Sequence, residues 1–518
     1  MEKDFSVKSF CHSAKINYTD QIFIDSAKIF QINHERRPPD KAAMKYGNEQ
    51  DLSYPVFKDE KSQYCAYRLA NHTLKYQDLL ETILLDSGFY HSQPLPDEMT
   101  SLVMVMLYDF QDRKFQPRCL PHSELKIEEV QDVETLLASS KIKLASAHAR
   151  SRIIHGVTDI KCLLSEDVQK QEQRAFTIPL YTWINTAKTS LSEVFETLKG
   201  EGFTKVDSPS DLEVDEYCMD KHCQDVLVFA PVLRHKLNSL EPFIDCKLVL
   251  QDKYYNIAVH SVRSLMNVGE DIIVTRPCSR YTIAHLSALA SQISCNIVVC
   301  GINSEARKEA LQGTLTNMEC KNVSFLKENF PDLDPSDPRL QKCKVILLMP
   351  RCSGSGVCDP VEFIVNENED FAFIQNVSKG SISTEKLHEL SKQQLSELCH
   401  AMTFNKVKTI VYSTCSVYSK ENEDVISGAQ ELKTGNSKMY SYRLSLPAIC
   451  SLPEISVSDK FIKVSPSDTT NGFFLAVLVK EVKRTEPVNT TTFPQKLKGI
   501  ASPKSRKQNS RSCLPVQT

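Results

Sequence analysis

The sequence predicts an α/β protein whose C-terminal half is a doubly wound, Rossmann-like domain, preceded by a small α/β module and an N-terminal all-helical block. Three observations carry this expectation. Between residues 257 and 482, short apolar runs alternate with amphipathic stretches, the pattern of parallel strands and crossover helices. Residues 62–155 instead repeat leucines and alanines at helical spacing. Two of the apolar runs, Val345–Leu348 and Thr409–Tyr412, each lead into a polar segment carrying a cysteine, at the strand ends where α/β proteins gather ligands.

Taken in chain order, residues 1–60 are polar, contain Pro38 and Pro39, and read as a loosely ordered lead-in with one helix near Asp20–Ile32. Residues 61–175 form the helical block, with helices expected at Tyr64–Asp86, Ser101–Phe110 and Val130–Ile154. Residues 176–256 form the small module. It opens on the strand-like PLYTWINTAKTS, then a helix Leu191–Gly200 with a Ser190/Glu193 capping box, then strands Val226–Ala230 and Cys246–Gln251. Trp183, the single tryptophan, is expected in that module's core. Residues 257–482 supply strands at Ile272–Val274, Ile297–Val299, Val323–Leu326, Val345–Leu348, Thr409–Tyr412 and an antiparallel edge strand Phe473–Val479. Their helices are Thr282–Ala290, Glu305–Leu315 and Thr384–Phe404, and Asn366–Ser383 and Gly428–Ser456 are expected as surface loops. Residues 483–518 are a basic tail, read as disordered, with the run SPKSRKQNSR open to RNA phosphates or nuclear targeting.

Composition sets limits. At 518 residues the chain exceeds a single core. A net charge of −3 gives no whole-chain argument for nucleic acid. The 18 cysteines show no paired spacing and MEKDFSVKSF has no apolar targeting run, so reduced thiols in cytoplasm or nucleus are expected, neither secreted nor membrane-bound. No apolar run is long enough for a bilayer span. Cys218, His222 and Cys223 are close together but lack a second half at zinc spacing, so no metal is expected.

The chemistry is concentrated in ILLMPRCSGSGVCDP, with Cys352, and YSTCSVYSKENED, with Cys415. A cysteine past a buried strand is by default a small hydrophobe. Two delivered to one crevice are a different matter, because a thiolate can add to carbon 6 of a pyrimidine and make carbon 5 reactive. These two motifs, with the stretch PSDPRLQKCKVILLMPRCSGSG and the closing strand NGFFLAVLVK, resemble the NSUN family of S-adenosylmethionine-dependent RNA (cytosine-5) methyltransferases over roughly Phe176–Lys480. The resemblance implies a class I methyltransferase domain, S-adenosylmethionine as cofactor and RNA as partner. It implies Cys415 as nucleophile and Cys352 as the cysteine that assists release. In the helical block it suggests an antiterminator-like domain, beside the plain alternative of a covering helical bundle.

The resemblance also marks departures. The family's glycine-rich cofactor turn is here Pro277, Cys278, Ser279 and Arg280, and its lysine falls on Tyr281 or Thr282. The acid that holds the ribose hydroxyls is Gly301, and an adenine-contacting Asp is Asn329. The Asp that contacts the target cytosine is Met349, and an RNA-contacting Arg falls on Leu180 or Tyr181. Cys278, Ser279, Arg280, Gly301 and Asn329 are therefore the candidate cofactor positions. Two functions are left: a methyltransferase with an eroded cofactor site, in which a protein partner completes the site, or an inactive methyltransferase fold that binds RNA or protein.

Overall fold

The computed structural model describes residues 17–35, 44–47, 53–57, 59–92, 95–119, 125–277, 279–367, 382–435, 438–449 and 460–481. The expected tail lies outside them, as do Cys278 and residues 368–381 of one expected loop.

The N-terminal part is helical. The expected helix near Asp20–Ile32 is Asp20–Asn33, capped by the Thr19 hydroxyl, and it buries Phe23, Ile29 and Phe30 completely. Arg118 fixes it from above, 2.9 Å from Asp20 and 2.6 Å from Glu134, with its guanidinium over the Phe23 ring. The two long helices expected next are each broken in two. Tyr76 separates Glu60–Lys75 from Gln77–Asp86, and Ser140 separates Glu128–Ser139 from Lys141–Ile154. At both joints ψ opens to a value near zero, so each half turns its own apolar stripe to the core. Helix Glu166–Thr177 then leads into the sheets.

The small module is a five-stranded sheet of β1 (Leu180–Ile184), β2 (Thr204–Lys205), β3 (Glu216–Met219), β4 (Val226–Phe229) and β5 (Leu248–Leu250), in the order β2-β3-β4-β1-β5. Strand alternation divides β1 between two cores. Leu180 and Ile184 pack with Leu198, Phe203, Phe229 and Leu248 inside the module. Tyr181 and Trp183 join the main core instead. Trp183 thus corrects expectation: it stacks on His285 of the following domain, ring centroids 4.5 Å apart and planes within 5°.

The large sheet contains β6 (Asp271–Val274), β7 (Ile297–Val299), β8 (Val323–Phe325), β9 (Cys343–Leu348), β10 (Thr409–Thr414), β11 (Tyr442–Ser445), β12 (Phe461–Val464) and β13 (Phe473–Lys480). Its order is β11-β13-β10-β9-β6-β7-β8, with β12 also paired to β13. Strands β6 to β10 are mutually parallel, and β13 runs antiparallel to β10. The chain order reverses between β6 and β9, which makes a switch-point crevice at their C-terminal ends. Two expectations are corrected here. Strand β13 is not an edge, because β11 and β12 cover its far side. The expected loop Gly428–Ser456 carries the end of helix Glu423–Gly435 and β11. Its short alternation hid the strand: Tyr442 is buried and Arg443 exposed, as on any edge.

Candidate active site

Cys352 stands just beyond β9 and Cys415 at the end of β10, and their Sγ atoms are 3.1 Å apart. The sulfurs touch because the two loops are bonded to each other along their backbones. Gly356 N donates to Cys415 O at 2.9 Å, and Gly472 N donates to Gly356 O at 2.7 Å. A Cβ on Gly356 would lie 2.2 Å from Gly472 O, so only glycine allows this approach.

Beneath the sulfurs lies a buried carboxylate. Glu421 is completely covered and accepts from Ser353 N at 2.8 Å, Gln394 Nε2 at 2.9 Å and Ser416 Oγ at 2.5 Å. It therefore bridges the residues that follow each cysteine. Its neighbour Asn422 accepts from Thr414 Oγ1 at 2.6 Å and donates to Ser416 O at 2.8 Å. Tyr412 OH reaches Glu421 O at 2.6 Å. The ENE part of the second motif is thus the frame of the thiol site, with Glu423 paired to Lys463 at 2.6 Å. Gln394 was missed from sequence. Its signal was a polar residue on the apolar stripe of helix Thr384–Ala401, buried beside Leu387 and Leu398. Met349 is buried among apolar groups at the end of β9 and offers no charge. Burial pushes the thiols of Cys300, Cys343 and Cys358 up to about 12, away from the thiolate form.

Along the ends of β6, β7 and β8 opens a cavity of about 750 Å³. Two of the expected cofactor positions, Gly301 and Asn329, line it. Gly301 has φ +80° and its N–H donates to Glu328 O at 2.8 Å. Ser279 is used differently. Its hydroxyl accepts from the N–H groups of Tyr281 and Thr282, capping helix Arg280–Ser291 from within. Arg280 lies against its neighbour Tyr281, with Nη2 3.2 Å from the Tyr281 hydroxyl, and is not among the lining residues. Thr282 Oγ1 accepts from Gln251 Nε2 at 2.7 Å, which ties that helix to the small module. Sequence reasoning missed three guanidiniums on the cavity wall, those of Arg276, Arg307 and Arg351. Arg351 adjoins Cys352 within the motif, but the cysteine drew the attention.

The seam to the small module is polar and closed. Asp225 accepts from His260 Nε2 at 2.6 Å through one oxygen and from His285 Nε2 at 2.9 Å through the other. Among the described residues these three are the group whose ligand atoms lie close enough for a metal. Cys218 and Cys223 are buried separately, and Cys223 N donates to Asp220 Oδ1 at 3.0 Å. Leu180 and Tyr181 are both buried, Tyr181 OH donating to Thr469 O at 2.8 Å, so neither presents a charge to RNA. No helix among the described residues is long and apolar enough to cross a membrane.

Comparison with known proteins agrees with this architecture. The family model described as 16S rRNA methyltransferase RsmB/F matches residues 277–479. The ferredoxin-like domain of NOL1/NOP2/Sun domain family member 5 matches residues 178–251. The chain is 46% identical over 478 residues to "Putative methyltransferase NSUN7" of Homo sapiens, covering 92% of this chain and 67% of that protein. The Mus musculus protein of that name is also 46% identical, over 92% and 66%. The chain thus spans about two thirds of the length of these relatives. It is 26% identical to "25S rRNA (cytosine-C(5))-methyltransferase NSUN5" of Arabidopsis thaliana, over 81% of this chain and 67% of that one. The solved structure entitled "Crystal Structure of PH0851" superposes with a TM-score of 0.51 at 14% identity, covering 90% of this chain and all of that one, a likeness of fold alone.

Proposed function

The chain belongs to the NSUN family of methyltransferases, and on that premise we propose that it is an S-adenosylmethionine-dependent RNA (cytosine-5) methyltransferase acting through a covalent cysteine–cytosine adduct. The observation that carries the reading is the 3.1 Å contact between Cys352 and Cys415 beyond the C-terminal ends of the adjacent parallel strands β9 and β10. In this reading Cys415, as thiolate, adds its sulfur to carbon 6 of a cytosine and sends the 5,6 electron pair to carbon 5. Carbon 5 then takes up a methyl group. Cys352 removes the carbon 5 proton, the pair returns to the ring, and the Cys415 sulfur leaves. The hydrogen-bonded sulfurs let one thiol hold a proton that the other gives up. Glu421 acts through Ser353 and Ser416, fixing both loops without reaching the base.

The cavity has the place and size for an adenosine-bearing cofactor. Asn329 and Asn303 would offer amides to it, and the backbone at Gly301 would face the ribose. S-adenosylmethionine, when bound, supplies the electrophilic methyl group. The hold on it is weak, since Gly301 offers no carboxylate to the ribose and Ser279 already occupies two helix N-terminal amides. That occupied turn also favours a second reading, a non-catalytic relative that binds RNA or protein partners.

An RNA containing 5-azacytosine, whose adduct cannot complete elimination, separates the two. The proposal expects a slow-migrating protein–RNA species with the wild-type chain, a stronger one with Cys352→Ala on ordinary RNA, and none with Cys415→Ala. RNA binding without an adduct in any of these proteins would select the second reading.

A further inference from the structure

The cavity at the strand ends is walled by groups of opposite kinds. Pro277, Phe330 and Pro331 contribute apolar lining, and Asn303 and Asn329 contribute amides. Arg276, Arg307 and Arg351 line the same cavity. Asp332 and Glu397 are the carboxylates on the wall, so cations outnumber anions. Burial raises the Glu397 pKa, while a hydrogen bond from Gln393 and the charges of Arg276 and Arg351 lower it.

A guanidinium is a planar fork of donors matched to phosphate oxygens and repelled by cations. S-adenosylmethionine carries a sulfonium and an ammonium against one carboxylate, so its net charge has the sign of the cavity. A nucleoside phosphate has the same base and sugar with the opposite sign. We propose that this crevice is an anion site that takes a nucleoside phosphate through Arg276, Arg307 and Arg351, and that such a ligand competes with the methyl donor. The competition rests on the methyltransferase reading; the anion site does not.

Gly301 favours the same ligand. A carboxylate there would add a negative charge to the wall, whereas the glycine presents only backbone, with φ +80° and its N–H already given to Glu328 O. Arg307 donates from Nη2 to Pro277 O at 3.3 Å, which holds it at the cavity.

Calorimetry on the full chain decides, with ADP, adenosine and S-adenosylmethionine as titrants and Cys415→Ala run in parallel. ADP is expected to bind at least tenfold tighter than adenosine in both proteins. Arg351→Ala and Arg276→Ala should each lose most of that advantage, and the Lys variants should lose less. Thermal unfolding of each variant shows that it is folded, and the Lys pair answers should an Ala variant fail. A 5′-phosphorylated oligoribonucleotide beside its unphosphorylated twin distinguishes an RNA end from a free nucleotide as the source of the phosphate. Equal binding of adenosine and ADP, or ADP binding unchanged in all four Arg variants, overturns the site. If ADP binds while S-adenosylmethionine neither binds nor is displaced, the anion site stands and the methyltransferase reading falls. If S-adenosylmethionine binds and ADP does not, the reverse holds.

Discussion

The thiol end and the cavity end of the strand crevice are built from different kinds of contact. At the thiol end, between β9 and β10, the contacts that hold Cys352 and Cys415 are complete. Glu421 has donors on both oxygens, Asn422 bonds in two directions, and Gly356 gives the approach that the loops need. At the cavity end, beyond β6 and β7, the polar groups are arranged otherwise. Ser279 satisfies its own helix, Gly301 lacks a carboxylate, and arginines line the wall. The difference lies in how each end is held. In the buried network an unpaired donor would cost about 1–3 kcal/mol, whereas a contact to a ligand at an open cavity can be changed without that cost to stability.

The comparison is most easily broken at Gly356. The Gly356 α-hydrogen that a Cβ would replace points at a backbone carbonyl, and a methyl group placed 2.2 Å from Gly472 O cannot be absorbed by a side-chain rotation. Gly356→Ala must push apart the segments that carry the two sulfurs. We expect about 1–3 kcal/mol of lost stability, as for overpacked cores, and complete loss of the RNA adduct. Unfolding in urea measures the first and gel migration the second. An alanine variant that still forms the adduct would mean that the thiol end is not the rigid one.

The cofactor end can be tested by restoring what it lacks. A Cβ on Gly301 has room, its nearest neighbours being Asn329 Oδ1 and Pro277 Cδ at 3.5 Å. The φ of +80° is the obstacle, costing roughly 1–2 kcal/mol for a residue with a side chain, least for Asn and Asp. Gly301→Asp should therefore fold, slightly destabilised. A recovered charge-assisted hydrogen bond of about 1.5–3 kcal/mol should tighten S-adenosylmethionine by tenfold or more. The same carboxylate should weaken ADP. Calorimetry that found neither change would place the erosion in the turn at Ser279 instead.

Much of this was legible in the sequence. Parallel strands β6, β7, β9 and β10 announced themselves as short apolar runs, since both faces of a central strand are buried. The cysteine motifs carried their own address at the strand ends. What sequence could not give was partnership across long separations. Gln394 and Glu421 meet through a helix and a loop, and Trp183 leaves its own module to stack on His285. Strand β11 was illegible because an edge strand is short and half polar. The cavity's arginines come from three separate segments, so no window of sequence contained the site.

Helix Arg280–Ser291 at the cavity end is tied to the small module through His285 and Thr282, and the smallest predicted effect tests that seam. His285 is buried against Trp183, and burial holds its pKa below the ordinary value of 6.5 although Asp225 pulls it upward. The folded chain thus keeps His285 neutral at a pH where the unfolded chain's histidine is protonated. The unfolded state binds the extra proton, so this contribution is whole above pH 6.5 and is lost as pH falls below it. Asp225 is held far below the usual carboxylate range, burial being outweighed by its two histidines. Its contribution is present above the unfolded value of 3.8, and so it does not change between pH 7.5 and 5. Stability should therefore decline across that interval from His285. His285→Gln, which keeps a donor for Asp225 without a titrating group, should flatten the decline while lowering stability at pH 7.5. Urea midpoints at pH 7.5, 6.5 and 5 for the two proteins provide the comparison. An equal slope in both would assign the acid sensitivity to a group outside the seam.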